Sequence, residues 1–322
     1  SIIHGVVHPS AAGIFAAARL IAPHATPAPL VRSPLLSDDY LCDMFVKNET
    51  VSPIASFKWR GALTAVLRSK GAKPGVVTSS TGNHGQGVAW AAKVAGIPAH
   101  IFLPEDANRV KRRKIELLGA VVHEHAGDLD AVTELAIAFA RERQLLFVDD
   151  GESVDVIEGA GTAGLEIAAE LHQCDFVFVP MGSGSLASGV AIAVKDRHPH
   201  VRVIAVQSEQ AAAMADSFRA RSAVERPANT IADGLICRVP ARLALDCLLA
   251  HVDDVITVSE RALLEAGKEL AERAHILVEP SGAAGLAAAR TMRAHLREKR
   301  VIMVATGSNL TTDVLQRMMC DR

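Results

Sequence analysis

Lys58 stands between two aromatic residues in Ser56-Phe57-Lys58-Trp59-Arg60-Gly61. A lysine so flanked tends to lie against apolar surface, where burial disfavours the ammonium and favours a neutral amine suited to imine chemistry. The alternative is a surface lysine whose stem covers the rings. Three further turns carry glycines and hydroxyls. The first runs Thr78-Ser79-Ser80-Thr81-Gly82-Asn83-His84-Gly85-Gln86-Gly87. It sits where a helix should start, and the free amides of a helix N-terminus attract carboxylate or phosphate. A plain strand-to-helix turn with an N-cap is the simpler alternative. The second is Pro180-Met181-Gly182-Ser183-Gly184-Ser185-Leu186, whose small residues leave backbone amides open to an anion. It lacks the G-x-x-x-x-G-K-[ST] pattern of a P-loop and the last glycine of a dinucleotide fingerprint. The third, Thr306-Gly307-Ser308-Asn309, reads by itself as any strand-end turn.

These turns need elements to hold them. Short apolar runs at Gly75–Thr78, Ala99–Leu103, Leu145–Val148, Phe176–Val179, Val201–Val206 and Val301–Ala305 read as buried parallel strands. Helical periodicity falls between them, at His84–Ala95, Arg109–Leu118, Leu129–Arg143, Thr162–Leu171, Ser259–Ala274 and Gly282–Arg297. The alternation predicts an α/β fold with open, mostly parallel sheets. The run Lys111, Arg112, Arg113, Lys114 reads as a solvated helix face, with an anion-binding role as the alternative.

The 322 residues suggest about two domains at roughly 150 residues each. Hydrophobic residues make up 49% and charged residues 22%, which excludes a disordered chain. With 34 basic against 36 acidic side chains the net charge is −2, and aromatics are only 4%, so no nucleic-acid partner is expected. Five cysteines without a C-x-x-C pair argue for a cytoplasmic protein with neither a disulfide framework nor structural zinc. No apolar run is long enough to cross a membrane, and the segment from Ser1 to Ala18 does not read as a signal peptide.

Taken together, Ser-Phe-Lys, then Ser-x-Gly-Asn-His, the Gly/Ser loop, Glu279-Pro280-Ser281-Gly282 and Thr-Gly-x-Asn recur in an order that resembles the pyridoxal-phosphate enzymes of fold type II. The likeness is greatest to the threonine/serine dehydratase and serine racemase family and runs from about Arg32 to Asn309. It implies a tryptophan-synthase-β-like fold: a discontinuous large domain, 1–74 and 151–322, and a small mobile domain, 75–150. It implies pyridoxal 5'-phosphate as cofactor, linked as a Schiff base to the catalytic Lys58 beside Phe57. Asn83 should meet the ring oxygen, and Gly182, Ser183, Gly184, Ser185 and Leu186 the phosphate. Thr306 should face the pyridine nitrogen, with Gly234 at the cofactor's edge and Glu279 near the ring or capping the next helix. Ser80, Thr81, Gly82, Asn83 and His84 should hold the substrate carboxylate. A hydroxyl at 306 leaves the ring a weaker electron sink than an aspartate would, which suits prompt β-elimination. Relatives are commonly homodimers, and ending near Arg322 matches those without a C-terminal regulatory domain.

The departures from the family pattern are specific. Pro53-Ile54-Ala55-Ser56 replaces Pro-Thr-Gly-Ser ahead of Phe-Lys. Thr81 stands where racemases carry serine and dehydratases alanine, which weakens racemisation without excluding it. The family's cation-binding carboxylates fall on Gln207 and Ala213, so no metal is expected there. Gly159-Ala160-Gly161-Thr162 replaces Gly-Gln-Gly-Thr, and Gly151 aligns with a larger residue. That glycine either opens room for a bulkier substrate such as phenylserine or is a neutral loop change. The resemblance implies an ammonia-lyase that turns a β-hydroxy-α-amino acid into a 2-oxo acid and ammonia. A racemase, a β-replacement enzyme and an inactive ligand-binding relative are the alternatives.

Overall fold

A computed structural model describes residues 2–3, 6–170 and 173–320. Leu171, the expected end of one helix, lies outside them, as do Ser1 and Arg322. Two sheets dominate. The larger has six strands in the order Asp254–Val258, Arg202–Ser208, Phe176–Pro180, Arg300–Ala305, Asp43–Asn48 and Leu30–Arg32. All neighbours are parallel except the outer Leu30–Arg32, which runs antiparallel to Asp43–Asn48. The smaller sheet orders Val121–His125, Ala99–Pro104, Val76–Ser79 and Leu146–Phe147, all parallel.

The central strands are apolar throughout because both faces are covered. Phe178 and Met303 point to one side, into a core with Ala284, Leu286 and Leu263. Their neighbours Val177, Val179, Ile302 and Val304 feed the opposite core with Ala163, Ile167 and Val190. The smaller sheet repeats the plan. Val76, Ile101 and Leu103 meet Trp59, Leu63 and Val88 from helices Lys58–Ser69 and Asn83–Ala95. Val77 and Phe102 meet Val132 and Ala136 of helix Leu129–Glu142 on the other side.

All six expected strands form, with ends shifted by a residue or two. Some helices differ more. The helix expected from Thr162 starts at Val154. The glycines there serve close packing: a Cβ on Gly161 would lie 2.9 Å from the carbonyl oxygen of Gly189 on helix Ser185–Arg197. The stretch expected as Gly282–Arg297 divides into a 3₁₀ turn, Pro280–Ala283, and helices Ala284–Thr291 and Arg293–Leu296. Helix Glu260–Glu269 passes into a wide π turn, Leu270–Ala274.

Candidate active site

Ligands in open parallel sheets gather beyond the carboxyl ends of the strands, and both sheets present such ends here. In the larger sheet, three adjacent strands lead into the segments of interest. Phe176–Pro180 runs into the Gly182–Leu186 loop, Arg300–Ala305 into Thr306–Asn309, and Asp43–Asn48 into the segment that reaches Lys58. In the smaller sheet, the paired strands Val76–Ser79 and Leu146–Phe147 lead into Ser80–Gly82 and into Val148–Gly151.

Lys58 is the first residue of helix Lys58–Ser69. The segment before it is strapped to the Thr306 turn. The N–H of Phe57 donates to Thr306 O at 3.1 Å, Ser308 N–H donates to Ala55 O at 2.8 Å, and Asn309 Nδ2 donates to Ile54 O at 2.9 Å. Ala55, where the resemblance expects glycine, takes a left-handed φ of 56°. The Lys58 side chain is 13% exposed. Its Nζ lies 5.0 Å from the Phe57 ring centroid and 2.6 Å from Asp150 Oδ2. The sequence reading expected apolar burial around this amine; the structure gives it a carboxylate partner.

Asp150 was not among the expected site residues. Burial pushes its carboxyl up, but the Lys58 ammonium, His84 and hydrogen bonds to Lys58 and Ser183 outweigh that and hold it at about 2. Its other oxygen, Oδ1, makes no hydrogen bond among the described residues. His84 Nδ1 is 3.7 Å away. The ring's Nε2 sits 3.0 Å from Val148 O and must donate to it, so Nδ1 carries a proton only when the imidazole is charged. The signal for Asp150 was available: an Asp149-Asp150 pair directly after a strand's carboxyl end.

The Gly182–Leu186 loop opens helix Ser185–Arg197, with Gly184 as N-cap at φ 93°. Helix N-terminal amides lack partners within the helix. Ser183 Oγ and Ser185 Oγ are 2.9 Å apart, and both donate to the carbonyl of Asp150. A Cβ on Gly182 would come within 2.4 Å of the carbonyl oxygen of Gly234, so the two chains can meet only at a glycine. Gly234 N–H donates to Ser281 Oγ at 2.9 Å. Leu186 is buried in the core and can offer an anion only its backbone. A bare glycine cradle and a helix N-terminus form a donor set that fits the phosphate of the expected cofactor, and the two serine hydroxyls join it on turning from the Asp150 carbonyl.

The Asn83 side chain joins the two sheets' halves of the site. Its Nδ2 donates to Glu279 Oε1 at 2.9 Å, and its Oδ1 accepts from Asn309 Nδ2 at 2.7 Å. One N–H of Asn83 remains for a ring oxygen. Glu279 also accepts from Asn309 N–H at 2.7 Å. Burial pushes the Glu279 carboxyl above its ordinary range, against the pull of the Asn309 N–H, Lys111 and Asn83. Thr306 is buried beside this group, and Gly307 pairs with Ser56. Ser80, Thr81 and Gly82 link strand Val76–Ser79 to helix Asn83–Ala95, with Ser80 Oγ accepting from Gly82 N–H at 3.2 Å. His84 is buried and turned toward Val148 and Asp150, so a substrate carboxylate would meet its backbone and not its ring.

Two expectations need correction. Lys111 and Lys114 are not a solvated face: Lys111 pairs with Asp233, and Lys114 Nζ donates to Asn309 Oδ1 at 3.1 Å, so the helix reaches across the cleft. Gly151 opens no room for an aryl group. A Cβ there would lie 2.5 Å from Ala241 Cβ, so that space is already filled. Gln207, at the position of a family cation ligand, spends its amide on Leu235 O and Ala215 N–H.

The pyridoxal-phosphate dependent enzyme family matches the chain over residues 21–307. An L-threonine ammonia-lyase of Thermotoga maritima is 36% identical over 294 residues, 90% of this chain and 73% of that protein. A serine racemase of Schizosaccharomyces pombe is 33% identical over 309 residues, 95% of each. The crystal structure of a threonine deaminase from T.th. superposes with a TM-score of 0.90 at 34% identity, covering 94% of this chain and 99% of that one.

Proposed function

The chain belongs to the pyridoxal-phosphate-dependent enzyme family, and on that premise we propose that it is an ammonia-lyase converting a serine- or threonine-type β-hydroxy-α-amino acid to a 2-oxo acid and ammonia. The observation that carries this reading is that Asp150 meets the Lys58 amine, His84 of one helix N-terminus and Ser183 and Ser185 of another. One opens at Gly184 for a phosphate, the other at Gly82 for a carboxylate.

When bound, pyridoxal phosphate supplies the electron sink that lets an α-proton leave an amino acid. The chain's own residues do the rest. The amides of 184–186 and the hydroxyls of Ser183 and Ser185 hold the phosphate. Asn83 and Glu279 would set the ring's orientation, and Thr306 would stand at its nitrogen, where a hydroxyl lends no full charge. The backbone of 80–84 grips the substrate carboxylate and so fixes which face of the α-carbon meets Lys58. Lys58 Nζ then takes up the α-proton as a general base. Contacts from Lys111 and Lys114 to Asp233 and Asn309 close the cleft and exclude water while the β-hydroxyl leaves.

The experiment is a panel of serine, threonine, 3-hydroxyaspartate and phenylserine with the loaded protein, scored for 2-oxo acid. The reading expects turnover of serine or threonine, and oxo acid from neither overturns it. A racemase reading is supported by the serine racemase relative and by the hydroxyl at Thr81. Chiral chromatography of the same mixtures separates the two: interconversion of enantiomers without oxo acid favours the racemase.

A further inference from the structure

Asp150 places a carboxylate inside the candidate site with one oxygen committed and one free. Oδ2 is 2.6 Å from Lys58 Nζ, whereas Oδ1 is buried without a hydrogen-bond donor. The cationic groups that face it are Lys58 and, when protonated, the His84 ring 3.7 Å away. The Cys237 thiol, pushed up to about 12 by burial and by Asp150 itself, stays protonated and brings no further charge. Without cofactor, its backbone carbonyl accepts from Ser183 and Ser185.

Geometry makes this oxygen a neighbour of the substrate side chain. Proton transfer requires the α-carbon within roughly 3–3.5 Å of Nζ. A substituent on the β-carbon lies only two bonds further on. To act as base Lys58 must first be neutral; in that state Asp150 has no ammonium partner, and a buried anion without a partner is costly. A hydrogen-bond donor or a cation on the substrate's β-carbon relieves that cost; a second carboxylate adds repulsion to it.

We propose that Asp150 sorts substrates by the charge of their side chain: a β-carbon bearing a neutral or cationic hydrogen-bond donor is accepted, and one bearing a carboxylate is turned away. This deepens the ammonia-lyase reading and rests on it for the placement of the substrate. The β-hydroxyl of serine or threonine and a β-ammonium both satisfy Oδ1. The acidic side chain of 3-hydroxyaspartate does not.

The test measures binding, not turnover. Alanine and aspartate carry no β-leaving group of the reaction and differ by one β-carboxylate. Their dissociation constants are measured calorimetrically on the cofactor-loaded wild type and on the Asp150→Asn, Asp150→Ser and Asp150→Glu variants. Aspartate should bind the wild type more weakly than alanine by about tenfold or more. The gap should close to within about threefold in Asp150→Asn and Asp150→Ser and persist in Asp150→Glu. Wild type that binds the two equally, or a gap unchanged when the charge is removed, overturns the proposal. Equal binding by the wild type overturns the proposal without any variant, and either neutral variant serves if the other fails to load cofactor. Failure of the ammonia-lyase reading is separately visible, as the absence of oxo acid from serine and threonine alongside an intact alanine-to-aspartate gap.

Discussion

Removing the charge of Asp150 in the cofactor-free protein should cost about 2.5 kcal/mol of stability at neutral pH. The figure follows from the carboxyl's displacement from 3.8 to about 2, at about 1.4 kcal/mol per unit. Little of it should be lost to solvent screening, because the pair is largely buried, with Lys58 13% and Asp150 28% exposed. The sign is that of a depressed carboxylate. The unfolded chain binds the proton more readily, so the stabilisation is full above the ordinary aspartate range and disappears as pH falls from about 4 toward 2. Urea unfolding of wild type and Asp150→Asn, both stripped of cofactor, reads the gap directly. It should be constant from pH 8 to about 5 and reduced to about half at pH 3. A gap below about 0.5 kcal/mol at pH 7, or one that does not narrow in acid, refutes the claim that Lys58 and Asp150 form a buried ion pair.

Glu49→Ala should destabilise the protein by about 3–5 kcal/mol in urea, because Arg60 is buried and would be left with Glu166, which it shares with Lys47, as its carboxylate partner among the described residues; Glu49→Gln, which keeps an acceptor, should cost less. Gly182→Ala drives a Cβ to within 2.4 Å of Gly234 O, so the loop must shift. Cofactor titration should show affinity weakened by about tenfold or more at a folding cost of about 1–3 kcal/mol, and unaltered uptake would remove the loop from its role. Ala55→Gly should raise the thermal midpoint by relieving a left-handed φ of 56°, a gain of about 1 kcal/mol.

The fold was legible where burial on both faces writes an uninterrupted apolar run. Phe176–Pro180 and Arg300–Ala305 are such runs, and each sends alternate residues into opposite cores. It was illegible where a central strand carries charge. Asp43–Asn48 holds Lys47 in full burial, satisfied by Ala28 O at 2.7 Å and Glu166 at 2.7 Å, and no hydrophobic pattern announces that. Val121–His125 escaped for another reason: as the edge of the smaller sheet it is polar and partly exposed.

The expected site residues rest on five motifs recurring in one order; each glycine or hydroxyl turn alone fits a plain strand-to-helix connection. Asp150 could not be read as Lys58's partner, since 92 residues separate them and only the pairing of strands Val76–Ser79 and Leu146–Phe147 brings that turn into the cleft. The same holds for Lys111 and Lys114. A basic run on a helix carries no sign of the Asp233 and Asn309 it meets across the gap.

Borohydride reduction of the cofactor-loaded protein, followed by peptide mass mapping, tests the central claim most directly. The account predicts the cofactor's mass on the peptide containing Lys58 and its loss in Lys58→Ala. A label on another lysine, or an unlabelled protein, contradicts it.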